Sequence, residues 1–184
     1  MIQLLTPTHW KDYELIDCGD FEKLERFGNL VLSRPEPQAV WKKVMSPEEW
    51  KKKAHITFRG RSATSGEWVR HNKSIPDRWN VNYQNDEVSI NLRLGLTSFK
   101  HVGVFPEQAV NWDYISSSIK SFKTPSPKVL NLFAYTGAAS LIAKAAGADT
   151  THVDSIKQVV NWANENQELS KLKDVRWVVE DALK

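Results

Sequence analysis

The chain has 184 residues, of which 41% are hydrophobic and 26% charged, and its formal net charge is +3. This length suffices for one ordinary domain or two small ones, and the composition is typical of a folded globular protein. A single cysteine (Cys18) excludes an internal disulfide, and with no signal-peptide pattern and no apolar run near the ~18 residues that span a bilayer, we expect a cytoplasmic protein without a membrane partner.

Residues 1–104 contain short runs in which apolar and polar side chains alternate. Turn residues separate these runs, including the turn at 62–66. The predicted strands are residues 29–33, 55–59, 67–71, 79–83 and 88–94. A period of two between Gly, Pro, Asn and Asp predicts an antiparallel sheet or a small barrel. Ser46, followed by Pro47 and two glutamates, predicts the start of one short helix.

The same half of the chain carries an uneven charge. Between Lys42 and Lys73, nine basic residues stand against three acidic ones, a net charge of +6. A basic surface attracts polyanions, of which nucleic acid is the most common. A solvated face without a partner would have the same composition, so charge alone leaves both interpretations open.

Residues 105–184 alternate between strand and helix patterns. Helices are predicted at 106–120, 137–146 and 156–169, and strands at 129–134, 150–153 and 175–179. The first helix is predicted to cover one face with Ala109, Val110, Tyr114 (or Asp113), Ile115 and Ile119. The nearly continuous apolar run at 129–134 is typical of a strand buried on both faces of a parallel sheet. The order predicts an α/β fold, with a β-rich domain over 1–104 and half of a doubly wound domain over 105–184.

Three residues are predicted at the carboxyl ends of the three parallel strands, where such sheets bind ligands. Gly137 allows close backbone approach after the first strand, and free N–H groups at the following helix suit a carboxylate. Asp154, 17 residues after Gly137, is placed to accept the hydroxyls of a ribose. Asp181, after the third strand, is placed to accept from an adenine amine. Each alone suits a turn or a helix cap, but their order indicates a nucleoside cofactor.

The turn before Gly137 separates two cofactor classes. A dinucleotide site needs G-x-G-x-x-G to wrap a pyrophosphate, and Tyr135 occupies the first glycine position. This argues against a nicotinamide dehydrogenase. S-adenosylmethionine carries no phosphate and needs only one close approach, so the sequence favours it.

The segment at 129–137, Val-Leu-Asn-Leu-Phe-Ala-Tyr-Thr-Gly, resembles the first motif of class I methyltransferases. The chain is similar to the family of large-subunit ribosomal RNA methyltransferases that carry an added N-terminal β-rich domain. The segments at 103–108, 151–154 and 179–182 resemble further motifs of that family, and 19–28 resembles its opening strands. The resemblance implies an S-adenosylmethionine-dependent enzyme acting on RNA, with a Rossmann-like sheet.

Carried over position by position, the resemblance implies ten residues around S-adenosylmethionine. They are Phe105, Gln108, Asn131, Tyr135, Thr136, Gly137, Asp154, Ser155, Asp181 and Ala182. Two positions depart from the pattern. Ala109 stands where some relatives have an arginine, and Asn131 stands where an acidic residue is common. No catalytic or metal-binding residue is assigned.

The family's fourth motif, an Asp-Pro-Pro-type loop after a fourth strand, does not occur in the sequence. The resemblance therefore implies a fragment that is inactive alone, whose strand at 129–134 has an open edge for a second chain or further segment. A non-catalytic RNA-binding or assembly module with a vestigial cofactor pocket is the alternative.

Cations and one aromatic mix in the β-rich half, as in surfaces that contact phosphates and unpaired bases. The residues are Arg59, Arg61, Arg70, His71, Lys73, Arg78 and Trp79. For Trp68 and Trp79 we favour a packing role, and for the arginines contact with RNA.

Overall fold

The computed structural model describes residues 4–7, 9–61 and 65–183. The chain forms two compact units. The β-rich unit comprises Lys11–Val81 and Leu94–Val102, and the α/β unit comprises Asn82–Arg93, the chain from Gly103 onward and the described residues before Lys11. The predicted division at residue 104 treats each half as continuous, whereas each unit in the structure is assembled from separate segments.

A five-stranded sheet forms the β-rich unit, in the spatial order β1-β2-β3-β4-β5. The strands are β1 (Tyr13–Gly19), β2 (Glu22–Phe27), β3 (Leu30–Pro35), β4 (Ile56–Gly60) and β5 (Gly66–Arg70). The predicted antiparallel pairing holds except between β3 and β4, which run parallel. A parallel pair needs a long crossover, and residues 36–55 provide it. Most of the predicted turn at 62–66 lies outside the described residues.

The crossover contains helix α1, Pro47–Lys53, which begins as predicted at the Ser46 cap. The Glu49 N–H donates to the Ser46 hydroxyl over 3.3 Å, and the Ser46 N–H donates to the Glu49 carboxylate over 2.9 Å. This reciprocal capping box fixes the helix start. Trp50 of α1 then packs on Leu24 in the core of the sheet.

An ion pair lies inside the β-rich unit. Arg34 and Glu25 are almost fully buried, and Nη2 of Arg34 lies 2.6 Å from Oε2 of Glu25. The Tyr13 hydroxyl donates to the other carboxylate oxygen over 2.9 Å. Since a buried charge is tolerated only when it is paired and hydrogen-bonded, these groups depend on one another.

Two strands, β6 (Arg78–Gln84) and β7 (Ser89–Gly95), pair as a ribbon. In the α/β unit, three parallel strands follow: β8 (Lys128–Leu132), β9 (Asp149–Asp154) and β10 (Arg176–Val179). Their spatial order is β10-β9-β8, as expected for one half of a doubly wound sheet.

Three helices complete the α/β unit: α2 (Ala109–Ser121), α3 (Ala138–Ala145) and α4 (Lys157–Leu169). Helix α3 ends in a left-handed glycine, as predicted. The N–H of Gly147 donates to the Lys144 carbonyl, and the Ala148 N–H donates to the Ala143 carbonyl, each over 3.0 Å. These two bonds form a Schellman motif that satisfies the last carbonyls of the helix. None of the helices in the described ranges is long and apolar enough to cross a membrane.

Two expectations about burial were wrong. Strand β8 is an edge strand of the described sheet, and Leu130 and Leu132 are 62% and 42% exposed, so the strand is not buried on both faces. The apolar face of α2 is also displaced. The helix begins at Ala109 after a 3₁₀ turn, Pro106–Gln108, and it buries Trp112, whereas Tyr114 is 74% exposed.

Candidate functional site

The loop between β8 and α3 has an unusual backbone. Phe133, Tyr135 and Gly137 adopt positive φ angles of 53°, 52° and 89°. Gly137 is the residue that best tolerates this conformation, and a Cβ there would lie 2.9 Å from the Cβ of Ala163 on α4. The glycine is therefore required by both its φ angle and the close approach of α4.

A cavity of about 460 Å³ opens beside this loop. It is formed by the segment entering α2 and by the segment from β8 into α3. Its lining includes six of the ten predicted cofactor residues: Phe105, Gln108, Asn131, Tyr135, Thr136 and Gly137. Val104, Glu107, Trp112 and the remaining loop residues complete it.

Aromatic and polar contacts shape the cavity wall. The rings of Phe105 and Tyr135 pack with centroids 5.1 Å apart, which brings the two lining segments together. The Thr136 hydroxyl donates to the Gly103 carbonyl over 2.5 Å, and Thr136 is buried. The Gln108 side-chain oxygen accepts from Asn111 over 2.9 Å.

Asn166 on α4 supports the loop from behind and is fully buried. Its side-chain N–H donates to the Thr136 carbonyl over 2.9 Å, and its oxygen accepts from the Arg93 N–H over 2.8 Å. The predicted site lacked this residue. An asparagine within a polar helix sequence offers no signal that distinguishes it from an exposed neighbour such as Asn161.

Asp154 ends β9 and reaches across to the loop. One carboxylate oxygen accepts from the Tyr135 N–H over 2.9 Å, and the other accepts from the Ile156 N–H over 3.0 Å. A carboxylate offers about four lone-pair positions, so both oxygens keep acceptor capacity. Asp154 can therefore hold the loop and still accept from two hydroxyl groups of a ligand.

Asp154 and the three further predicted residues at the strand ends lie outside the cavity lining. Ser155 is exposed, and Asp181 and Ala182 are half-buried after β10. Asp181 accepts from the Leu183 N–H over 3.0 Å, which is a local turn contact. Strand register nevertheless places these residues at one sheet edge, since Val179 pairs with Asp154.

Helix α3 starts at the cavity without a side-chain cap. Its N-cap is Gly137, which has no side chain to accept from the first turn, and Ala138 and Ala139 line the cavity. The unpaired N–H groups and the positive end of the helix dipole favour a negatively charged group there.

A chain of three polar side chains lies behind the lining. The Asn131 side-chain N–H donates to the Ser140 hydroxyl over 2.9 Å, and that oxygen lies 3.0 Å from Nδ1 of His152. Ser140 and His152 are fully buried. Burial lowers the pKa of His152 to about 4, so the ring is neutral at pH 7. Neither Ser140 nor His152 was among the residues predicted from the sequence, because the polar sequence of β9 does not show that its histidine is buried.

No protein-family model matches this chain. A curated relative, the ribosomal RNA large subunit methyltransferase K/L of Shewanella frigidimarina, is 32% identical over 123 residues, which are 66% of this chain and 16% of the relative. The chain therefore spans only a small part of the length of that relative.

Solved structures match a larger part of the chain. An S-adenosylmethionine-dependent methyltransferase from Agrobacterium tumefaciens is 38% identical, with a TM-score of 0.88, over 99% of this chain and 57% of that one. A structure described as a methyltransferase complexed with S-adenosylhomocysteine has a TM-score of 0.65 at 18% identity, and the match covers 94% of this chain and 46% of that one. The second match shows the fold alone. Together these matches confirm the predicted α/β fold and its resemblance to the methyltransferases.

Proposed function

We propose that this chain is part of a class I S-adenosylmethionine-dependent methyltransferase related to those of large-subunit ribosomal RNA, and that it binds S-adenosylmethionine in the cavity between α2 and the β8–α3 loop. The observation that carries the proposal is the convergence of Asp154, the positive-φ loop and the uncapped start of α3 at one sheet edge. The identity of the cofactor is inferred from the similar Agrobacterium tumefaciens structure, which is described as an S-adenosylmethionine-dependent methyltransferase.

The described residues fit an adenosyl ligand with an amino-acid tail. The N–H groups at the uncapped N-terminus of α3 would donate to the carboxylate of the methionine part. Asn131 and Tyr135 line the same cavity. Asp154 would accept from the ribose hydroxyls, with Ser155 beside it. Asp181 and Ala182 would lie towards the adenine. When bound, S-adenosylmethionine supplies an electrophilic methyl group on sulfur.

Isothermal titration tests this assignment with S-adenosylhomocysteine, using NAD as the control ligand. We expect S-adenosylhomocysteine to bind and NAD to bind at least about tenfold more weakly, which corresponds to a difference of ~1.4 kcal/mol in binding free energy. Asp154→Ala should weaken binding by a similar factor. Asp149→Ala is the matched control, since it removes an exposed carboxylate from the other end of β9.

Two outcomes would contradict the proposal. If NAD bound as tightly as S-adenosylhomocysteine, the cavity would be a dinucleotide site. If a folded chain bound neither ligand but bound RNA, a non-catalytic RNA-binding module with a vestigial pocket would be the better description. Equal losses for Asp154→Ala and Asp149→Ala would remove the ribose role from Asp154.

We also propose that the target is RNA, with ribosomal RNA as the first substrate to examine. The curated relative is named for that substrate, and the β-rich unit presents exposed cations. Among the described residues, Arg59, Lys73 and Arg78 form no ion pair, whereas Arg61 pairs with Glu67 and Arg70 with Asp77. The exposed cations without a partner are the best candidates for phosphate contacts.

Trp68 has a packing role, as we expected. Its ring meets that of Phe58 in a T-shaped contact at 5.0 Å, and its N–H donates to the Thr97 carbonyl over 2.8 Å. Trp79 is half-buried. Base stacking is therefore not assigned to Trp68.

Fluorescence anisotropy with a labelled ribosomal RNA fragment tests the RNA surface. Replacing Arg59, Lys73 and Arg78 by alanine should weaken binding, and the slope of log K against log salt should fall by ~0.7–0.9 for each lost phosphate contact. A control removes three exposed lysines from the α/β unit: Lys120, Lys123 and Lys128. Equal effects of the two triple variants would indicate binding through net charge alone.

The exposed edge of β8 supports one further element of the proposal, that a second chain or further segment adds strands there. Leu130 and Leu132 lie on this edge strand and are both exposed. Exposed apolar edge strands are templates for pairing. If the partner is a second copy, light scattering should show concentration-dependent association that Leu130→Lys abolishes.

A further inference from the structure

Asn131 is a neutral residue in the cavity lining, at a position where a ligand ammonium group would be best met by a carboxylate. An asparagine offers an acceptor oxygen on one side of its amide and a donor N–H₂ on the other. An asparagine can therefore accept a hydrogen bond from an ammonium group only when its amide oxygen faces that group, whereas a carboxylate can accept with either oxygen.

The amide of Asn131 is oriented by its neighbour on α3. Its Nδ2 donates to the Ser140 hydroxyl over 2.9 Å, and no described residue donates to its Oδ1. The amide plane is therefore held from the N–H₂ side. The oxygen Oδ1 is the atom that remains for a ligand in the cavity that Asn131 lines.

The orientation of Ser140 depends in turn on His152. The Ser140 oxygen has two lone pairs and accepts from Asn131 with one of them, so its own proton is available to Nδ1 of His152, 3.0 Å away, when that nitrogen carries no proton. The imidazole must then be neutral, with its own proton on Nε2. Burial of the ring favours the neutral form.

The surroundings of His152 are compatible with this tautomer. Its Nε2 has no hydrogen-bond partner among the described residues. The Trp177 ring is a close neighbour, with centroids 4.7 Å apart in a T-shaped arrangement. The π electrons of an aromatic ring such as Trp177 are a weak acceptor for an N–H group at Nε2 of His152. An unprotonated Nε2 would gain no hydrogen bond from that ring.

We propose that Ser140 and His152 are positioning residues that hold the Asn131 amide with its oxygen free to accept from the ammonium group of an amino-acid ligand. The inference rests on the proposed function, since it assumes that the tail of S-adenosylmethionine occupies the cavity. It explains how this chain can bind a cationic group without the acidic residue that is common at position 131.

The test compares three ligands by titration: S-adenosylhomocysteine, its analogue lacking the α-amino group, and adenosine. For the unchanged chain we expect the amino group to improve affinity by about tenfold or more, the value of a hydrogen bond to a charged group. In Ser140→Ala, this preference should fall to within about threefold, while adenosine affinity stays within about twofold. A merely structural role would weaken all three ligands together.

A second variant separates orientation from damage. In the double variant Asn131→Asp with Ser140→Ala, both side-chain atoms at position 131 are acceptors, so the preference for the amino group should return. Persistence of the preference in Ser140→Ala alone, or no return in the double variant, would overturn the inference.

Nitrogen-15 NMR of the histidines provides a readout that needs no ligand. We expect the His152 proton on Nε2, and a proton on Nδ1 would reverse the network and overturn the inference. Failure of all three ligands to bind the folded chain would defeat the proposed function and this inference together. Binding without any amino-group preference would defeat this inference alone.

Discussion

The backbone N–H of Tyr135 donates to Oδ2 of Asp154 over 2.9 Å, which ties the turn after β8 to the end of β9. The second oxygen of the same carboxylate accepts from the Ile156 N–H at the start of α4. One side chain therefore joins the ends of two neighbouring strands at the edge where the cavity lies. Its effect on folding can be measured without any ligand.

Asp154→Asn should lower the free energy of unfolding by about 1–3 kcal/mol, because the amide keeps one acceptor oxygen and turns a donor towards a backbone N–H. Hydrogen exchange at the Tyr135 amide should accelerate in parallel. Chemical denaturation and exchange measured by NMR check both effects. Asp149→Asn, at the exposed start of the same strand, should change neither.

Gly137→Ala should destabilise the protein more than Gly147→Ala. Both glycines have positive φ angles, 89° and 107°, so both changes introduce backbone strain. At Gly137 the new Cβ would also lie 2.9 Å from Ala163, whereas at Gly147 nothing lies within 4 Å. We expect about 1 kcal/mol for Gly147→Ala and at least about 1 kcal/mol more for Gly137→Ala, measured by urea denaturation. If both variants lost the same unfolding free energy, α4 would have to shift away from the new Cβ at position 137 at no cost.

Asn166→Ala should remove two hydrogen bonds with the backbone, one to the Thr136 carbonyl and one from the Arg93 N–H. Each lost hydrogen bond costs about 1 kcal/mol, so a loss of ~2 kcal/mol in unfolding free energy is expected. Asn161→Ala, on the exposed face of the same helix, is the control. A loss below about 0.5 kcal/mol for Asn166→Ala would show that water replaces the amide.

His152 should make stability depend on pH between about 4 and 6.5. Burial lowers its pKa from 6.5 to about 4 in the folded chain, so the unfolded chain binds more protons within this window. Stability should therefore fall as pH decreases through this window, by up to ~1.4 kcal/mol per pH unit, and the slope from this histidine should fade within about one pH unit above 6.5.

The contribution is isolated by comparing denaturation curves of the unchanged chain and His152→Phe across that window. The variant should show a shallower slope. A slope unaffected by His152→Phe would contradict a depressed pKa.

Several elements were predictable because their signals are local. The Ser46 cap and the left-handed Gly147 each depend on a few neighbouring residues, and both appear in the structure. The strand–helix alternation after residue 105 also follows from hydrophobic periodicity. The six lining residues from Phe105 to Gly137 lie where motif order placed them, although their contact with a cofactor remains a prediction.

Errors arose where burial depends on neighbours distant in sequence. The apolar run at 129–134 does not reveal that Leu130 and Leu132 are exposed, and the α2 pattern does not reveal that Trp112 rather than Tyr114 is buried. The parallel pairing of β3 and β4 likewise depends on a crossover whose path the local pattern does not specify.

The sequence by itself determined the order of strands and helices after residue 105, the caps at Ser46 and Gly147, and the kind of ligand predicted for the strand ends. These properties follow from side-chain periodicity and from the few residues that tolerate caps and positive φ angles. Only the tertiary structure decided that Asp154 holds Tyr135, that Asn166 supports Thr136, and that Asn131, Ser140 and His152 form one hydrogen-bonded chain. Those pairs join separate elements, and their geometry exists only when the sheet and helices pack.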